Sequence, residues 1–208
     1  MVDSTGVPSS RVYAEIIRDN LQRLRNGQFD NHYTASRTLA SLEYYLTKAF
    51  LRYCTGQRFG FTNPQKILNR LEYEDNDGPN RYFRQLFDIP METPDEPFIA
   101  QCFKAVSSYQ VEDFLQSVQP QDDLYRRLAD YYHTATLSFA QKRTVALNIE
   151  RSRWRIKDQR PHRWVSINIP SQQLVAYDQS SDSLLTMKVC YGSRGHKSPL
   201  LISRMGWL

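Results

Sequence analysis

Near the end of the chain, "KVCYGSRGHKSP" (Lys188–Pro199) sets Cys190 and His196 six residues apart with two glycines between them. A cysteine nucleophile activated by an imidazole base is the chemistry these two residue types could do, provided they come within hydrogen-bond reach. Catalytic pairs of this kind are usually distant in sequence and adjacent only in the fold, so the spacing argues neither way. Lys188, Arg194, His196 and Lys197 could lower the thiol's pKa. The strand-like run "SLLTMKVCY" argues instead for an inward-facing Cys190 acting as a small hydrophobe, with His196 a solvated loop residue. Cys54, Cys102 and Cys190 are odd in number and widely spaced, which suits neither a disulfide framework nor a zinc site and predicts buried free thiols. His32, His133 and His162 stand alone, so the sequence argues for no metal and no cofactor.

The second chemistry-bearing stretch is "ERSRWRIKDQRPHRW", which interleaves Arg151, Arg153, Arg155, Lys157, Arg160 and Arg163 with Trp154 and Trp164. Such a pattern can hold phosphates and stack bases. Net charge is +5, and residues 151–208 hold ten Lys/Arg against three Asp/Glu, whereas residues 1–150 hold seventeen against nineteen. A basic stretch is more often a solvated face or a source of ion pairs, so nucleic acid is kept only as an alternative partner. Glu72, Glu74, Asp75 and Asp77 beside Gly78-Pro79 form an acidic loop to which no chemistry is assigned. Tyr44, Tyr45, Tyr53, Tyr131 and Tyr132 most simply fill a helical core with their hydroxyls at its edge. A glycan-stacking groove is the other use for them.

These residues must be carried by something. Val12, Ile16, Ile17, Leu21 and Leu24 recur at helical spacing before Asn26-Gly27, which predicts a first helix. Ser36–Cys54 predicts a longer one, stopped by Thr55-Gly56. "TNPQKILNRLEY" predicts a short third, with Asn63 as N-cap and Pro64 at the first helical position. "DIPMETPDEP" is a connector that no helix can traverse. After it, "DEPFIAQCFKAVSSY", "VEDFLQSVQP" and a continuous "QDDLYRR…SRWR" read as helix. The period then changes: "RWVSINIP", "QQLVAYD" and "SLLTMKVCY" read as strands, the last two joined by a hairpin loop over Asp178–Ser183. The expectation is an α+β chain with a helical region at 1–155, a linker at 156–163 and a small antiparallel β segment at 164–208. Three strands make an open sheet that needs a partner layer. Together with the apolar ending "PLLISRMGWL", this suggests a coding sequence cut inside a domain. No apolar run approaches a membrane span, and the first residues do not resemble a secretory signal.

"RTVALNIERSRWR", followed by "RWVSINIPSQQLVAYDQSSDSLLTMKVCYGSRGHKSPLLIS", resembles the murein L,D-transpeptidases of the YcbB-like group. There a helix of pattern "LNxERxRW" leads to a strand "VNIPxxxLxVY", a hairpin and "MxVxVGxxxxxTPxFS". "EYYLTKAFLRYCTGQRFGFTNP" and "SVQPQDDLYRRLADYY" resemble the helical scaffold upstream. The resemblance implies a scaffold followed by the opening strands of a YkuD-type catalytic domain, incomplete here. It also implies a bacterial envelope location and peptidoglycan stem peptides as partners. Family members form a cysteine thioester with one stem peptide and pass the acyl group to an amine on a second. Their nucleophile lies in "SxGCxR" and their histidine in an upstream "HG", and this sequence contains neither. Cys190 matches an ordinary apolar strand position of the family, so no catalytic residue is assigned and the chain is expected to be inactive. Ser198 stands where the family has threonine, and the peptidoglycan-binding insert of many relatives has no counterpart. The resemblance offers a third reading of Arg151, Arg153, Trp154 and Arg155, as contacts between scaffold and β domain.

Overall fold

The computed structural model describes residues 9–74, 82–157, 161–178, 183–193 and 195–204. A 3-10 turn, Ser9–Val12, leads into α1 (Ala14–Asn26), which ends on Gly27 at φ 63°. In that left-handed conformation the Gly27 N–H satisfies the Arg23 carbonyl. Thr34 caps α2 (Ala35–Phe59), its hydroxyl accepting from the Arg37 N–H. Asn63 caps α3 (Pro64–Leu68) with Pro64 in the first turn, as the sequence predicts. Asp95 caps α4 (Glu96–Ser107), α5 spans Val111–Ser117, and Asp122 caps α6 (Asp123–Thr134).

Three expectations need correction. Helix α2 does not stop at Thr55-Gly56 but runs to Phe59, because Gly56 serves packing rather than termination. The Phe61 ring lies directly against it, where a side chain would stand. The long helix expected from Gln121 onward is broken: Ser138 opens α7 (Phe139–Ser152) with a full capping box, its Oγ accepting from Gln141 N while Gln141 accepts from Ser138 N. The reading of everything before Arg155 as helical overlooked β1 (Phe87–Asp88) and the Tyr73–Phe83 bridge.

The chain divides into two units, Met1–Thr62 with Glu92–Arg155, and Asn63–Met91 with Ile156–Leu208. The first is helical. Its core brings Cys54 of α2 together with Phe98 and Cys102 of α4 and with Val118, flanked by Phe50, Phe59 and Phe114. A second cluster joins Tyr125 of α6 to Val145 and Ile149 of α7. Full burial of a side chain such as Ile149 is worth about 1.5–3 kcal/mol relative to exposure.

The second unit holds an antiparallel sheet in the order β2 (Arg163–Asn168), β3 (Gln173–Asp178), β4 (Ser183–Lys188). Its pairings, Val165 with Ala176, Ile167 with Leu174, Leu174 with Met187 and Ala176 with Leu185, gather six apolar residues on one face. β1 instead pairs in parallel with β5 (Leu200–Leu201). Asn69 fixes β1 locally, its Oδ1 accepting from the Leu86 and Phe87 N–H groups while its Nδ2 donates to the Phe87 carbonyl. The residue that ties this region together is Glu72, which accepts from Lys197 and lies 3.6 Å from Arg84. Of the acidic loop, Asp75, Asp77 and Gly78-Pro79 lie outside the described residues, as do Arg160, Arg194, the 179–182 part of the expected hairpin loop and 205–208.

Candidate functional site

Arg151, Arg153, Trp154 and Arg155 occupy the end of α7 and the residues after it, and the structure gives them different surroundings. Arg151 is exposed. Arg153 lies one turn beyond Ile149 and two beyond Val145, on the buried stripe of α7, and is only 1% exposed. Its Nε donates to Gln57 Oε1 at 3.1 Å and its Nη1 to Glu150 Oε2 at 3.1 Å. The guanidinium also sits 5.4 Å from the ring centres of both Phe61 and Tyr125. A buried cation is tolerated only when it is paired and hydrogen-bonded, and these groups do both.

The partners are themselves held. Gln57 Oε1 also accepts from the Tyr125 hydroxyl at 3.2 Å, so α2, α6 and the end of α7 meet at one amide. Glu150 uses its other oxygen, Oε1, to accept from Thr62 N at 2.7 Å and Thr62 Oγ1 at 2.9 Å. The Trp154 ring packs over Gly60, whose φ of 93° and lack of Cβ allow the approach. Arg155 donates from Nε to the Arg58 carbonyl at 3.2 Å, and its carbonyl accepts from Glu92 N at 2.9 Å. Burial, followed by the neighbouring Arg58 charge, lowers the Arg155 pKa. Arg58 in turn faces Glu92 at 3.6 Å. The Glu150 carboxylate is taken up by Thr62 and Arg153 and the Glu92 carboxylate faces Arg58, so the arrangement acts as a polar lock binding chain segments 57–62, 92 and 150–155 within the helical unit. The sequence carried the signal: Val145, Ile149 and Arg153 continue one i, i+4 series, which places Arg153 inward despite its charge.

Cys190 overturns its expectation. β4 ends at Lys188, so Cys190 lies beyond the strand, and it is exposed rather than buried. It lines an open depression of about 380 Å³ with Gln172, Val189, Tyr191, Gly192 and Ser193. The loop after it is closed by Gly192 N donating to Ser198 Oγ at 2.8 Å and His196 N to Ser193 O at 3.2 Å. Among the described residues no hydrogen bond joins Cys190 to His196. Cys54 and Cys102 are fully buried neighbours, and burial raises both thiol pKa values. Among the described residues no three His, Cys, Asp or Glu side chains are grouped to hold a metal ion.

The tyrosines divide. Tyr53 is buried and its hydroxyl accepts from Gln119 Nε2 at 3.2 Å, as a core tyrosine should. Tyr44 is 58% exposed and Tyr131 half exposed, so neither fills the core. Among the described residues no helix is long and apolar enough to cross a membrane.

Compared with family models, residues 3–131 match the one described as "Scaffold domain". Neither curated proteins nor solved structures give a match.

Proposed function

Because this chain belongs to the Scaffold domain family, found as the N-terminal scaffold of L,D-transpeptidases like YcbB, we propose that it serves peptidoglycan remodelling in the bacterial envelope as the scaffold portion of such an enzyme. The observation that carries the reading is order along the chain. The family match over 3–131 is followed by "LNIERSRWR" and then by strands whose sequence resembles the opening of the catalytic domain. The thioester chemistry belongs to "HG" and "SxGC" motifs that these 208 residues do not contain. Cys190, exposed but without a hydrogen-bonded base among the described residues, does not replace them. The role of this chain is therefore to hold and present, with stem peptides handled by the catalytic machinery it supports.

A module that recruits peptidoglycan or a cell-wall partner is the second reading, supported by the scaffold match over residues 3–131. Co-sedimentation of the purified chain with isolated sacculi tests both. Retention at physiological salt supports a cell-wall role, and absence of a stem-peptide adduct on Cys190 by intact mass supports the non-catalytic assignment. Failure to sediment, with binding to duplex DNA that weakens steeply as salt rises, would replace both by the nucleic-acid reading.

A further inference from the structure

The surface where the start of α1 meets the middle of α2 carries a cluster that the polar lock does not involve. Tyr44, Lys48 and Arg52 form an i, i+4, i+8 stripe on α2, and Tyr13 stands over it from the N-cap position of α1. Lys48 Nζ lies 3.4 Å from the Tyr44 hydroxyl, 5.3 Å from the Tyr44 ring centre and 4.9 Å from the Tyr13 ring centre. Arg52 Nη1 donates to the Tyr13 hydroxyl at 2.9 Å. Tyr45 closes the aromatic wall, 5.5 Å from Tyr13 and 5.2 Å from Tyr44 between ring centres.

Two features separate this cluster from an ordinary basic surface. Exposed cations without an ion pair are ordinary among the described residues, Arg18, Arg25 and Arg37 being three, so the distinction lies in how two such cations are held. Among the described residues Lys48 and Arg52 form no ion pair and are held by phenols, which orient a cation without cancelling its charge. The second feature is backbone strain. Tyr13 sits at φ 57°, ψ 29°, in the left-handed region that bulky residues avoid, and its side chain makes no capping bond to α1 in return. The strained conformation places the ring over the two cations.

We propose that Tyr13, Tyr44, Lys48 and Arg52 form a binding site for an acidic saccharide, a sugar ring bearing a carboxylate or phosphate. The two cations take the anionic oxygens, and the exposed Tyr44 ring offers an apolar face to the sugar's C–H groups. A pair of cations against an aromatic wall suits one anionic group beside one ring, whereas a nucleic-acid backbone calls for a longer basic track. The site deepens the cell-wall reading and rests on it for the source of the sugar: a muramic-type carboxylate in glycan freed of its stem peptide, or a sugar phosphate.

The test is a titration of the full chain, followed by tyrosine-ring NMR, with N-acetylmuramic acid, glucosamine 6-phosphate, neutral N-acetylglucosamine, and acetate or inorganic phosphate alone. The site predicts that at least one acidic sugar shifts the Tyr13 and Tyr44 signals and binds about tenfold more tightly than the neutral sugar and the bare anions. Which acidic sugar wins identifies the source. Lys48→Gln and Arg52→Gln, both at exposed positions, should each weaken binding about tenfold, the loss of one charged hydrogen bond, with thermal midpoints unchanged. Equal binding of neutral and acidic sugars, or full binding by both variants, overturns the proposal. So does tighter binding of single-stranded DNA at the same residues. If sacculi still sediment with a double variant while no sugar binds the wild type, this site fails and the cell-wall function stands. If acidic sugars bind here and sacculi do not sediment, the reverse holds.

Discussion

At the scale of single residues, the charge that matters most to stability is one hidden from solvent. Arg153 is bonded to Gln57 and Glu150 within the helical unit, and removing it leaves the largely buried Glu150 carboxylate without its cation and Gln57 Oε1 with the Tyr125 hydroxyl alone. Arg153→Ala should cost about 3–5 kcal/mol, read as a drop in the urea midpoint at unchanged m-value, whereas Arg151→Ala on the exposed side should move it by roughly 0.5 kcal/mol or less. A second residue-level effect is alkaline. Burial, then the neighbouring Tyr125, pushes the Tyr53 phenol up to about 12 from its ordinary value of 10.0. The folded state favours the neutral form, so the stabilisation is intact below pH 10 and is lost as pH rises from 10 through 12. Unfolding free energy should fall by about 2 kcal/mol across that window, and Tyr53→Phe should flatten the fall. A slope unaffected by that substitution would place the alkaline sensitivity elsewhere, with the buried Cys54 thiol the next group to test.

Among elements, the junction after α2 is the most constrained. Gly60 has φ 93°, and a Cβ placed there would stand 2.7 Å from the Trp154 ring. Gly60→Ala therefore meets both a backbone penalty and a clash, and should destabilise by about 1–3 kcal/mol in thermal or urea unfolding. A neutral outcome would mean that Trp154 does not pack over this turn. Much of the element list was legible because its signals are local. Asn63 before Pro64 announces α3; Thr34, Asp95, Asp122 and Ser138 cap their helices by the same bond, to the backbone N–H three residues on, although the sequence reading expects only Asn63 as a cap and a continuous helix through Ser138. The Gly56 reading failed because a glycine that ends a helix and one that admits a neighbouring ring look alike until Phe61 is seen against it.

For the whole molecule, the consequence lies in a discontinuous second unit. β1 draws its strand partner from β5, more than a hundred residues later, and the Pro90 carbonyl accepts from Lys157 N. A chain ending at Arg155 should therefore keep α2 protected while the Leu86 and Phe87 amides, bonded to Asn69, exchange faster than in the full chain. Unchanged exchange at those two amides would show that residues 63–91 hold their structure without the strands.

What the sequence determined by itself is whatever depends on neighbours along the chain. The helical spacing from Val12 to Leu24, the change to strand alternation at Trp164 and the switch from balanced to basic composition near residue 151 all follow from residues close together. The α+β character and the scaffold kinship were readable for the same reason. Tertiary structure decided what depends on residues far apart. A two-residue strand such as Phe87–Asp88 has too few side chains to show a period, and it exists because Leu200–Leu201 satisfies its backbone. β4 ends at Lys188, three residues short of the expected run to Tyr191, and Cys190 beyond it is exposed, as are the residues of β4 itself. The pairing of Tyr13 with Arg52 spans 39 positions and needs α1 to fold back on α2. No local pattern encodes such a contact, because its energy arises only when the two helices pack.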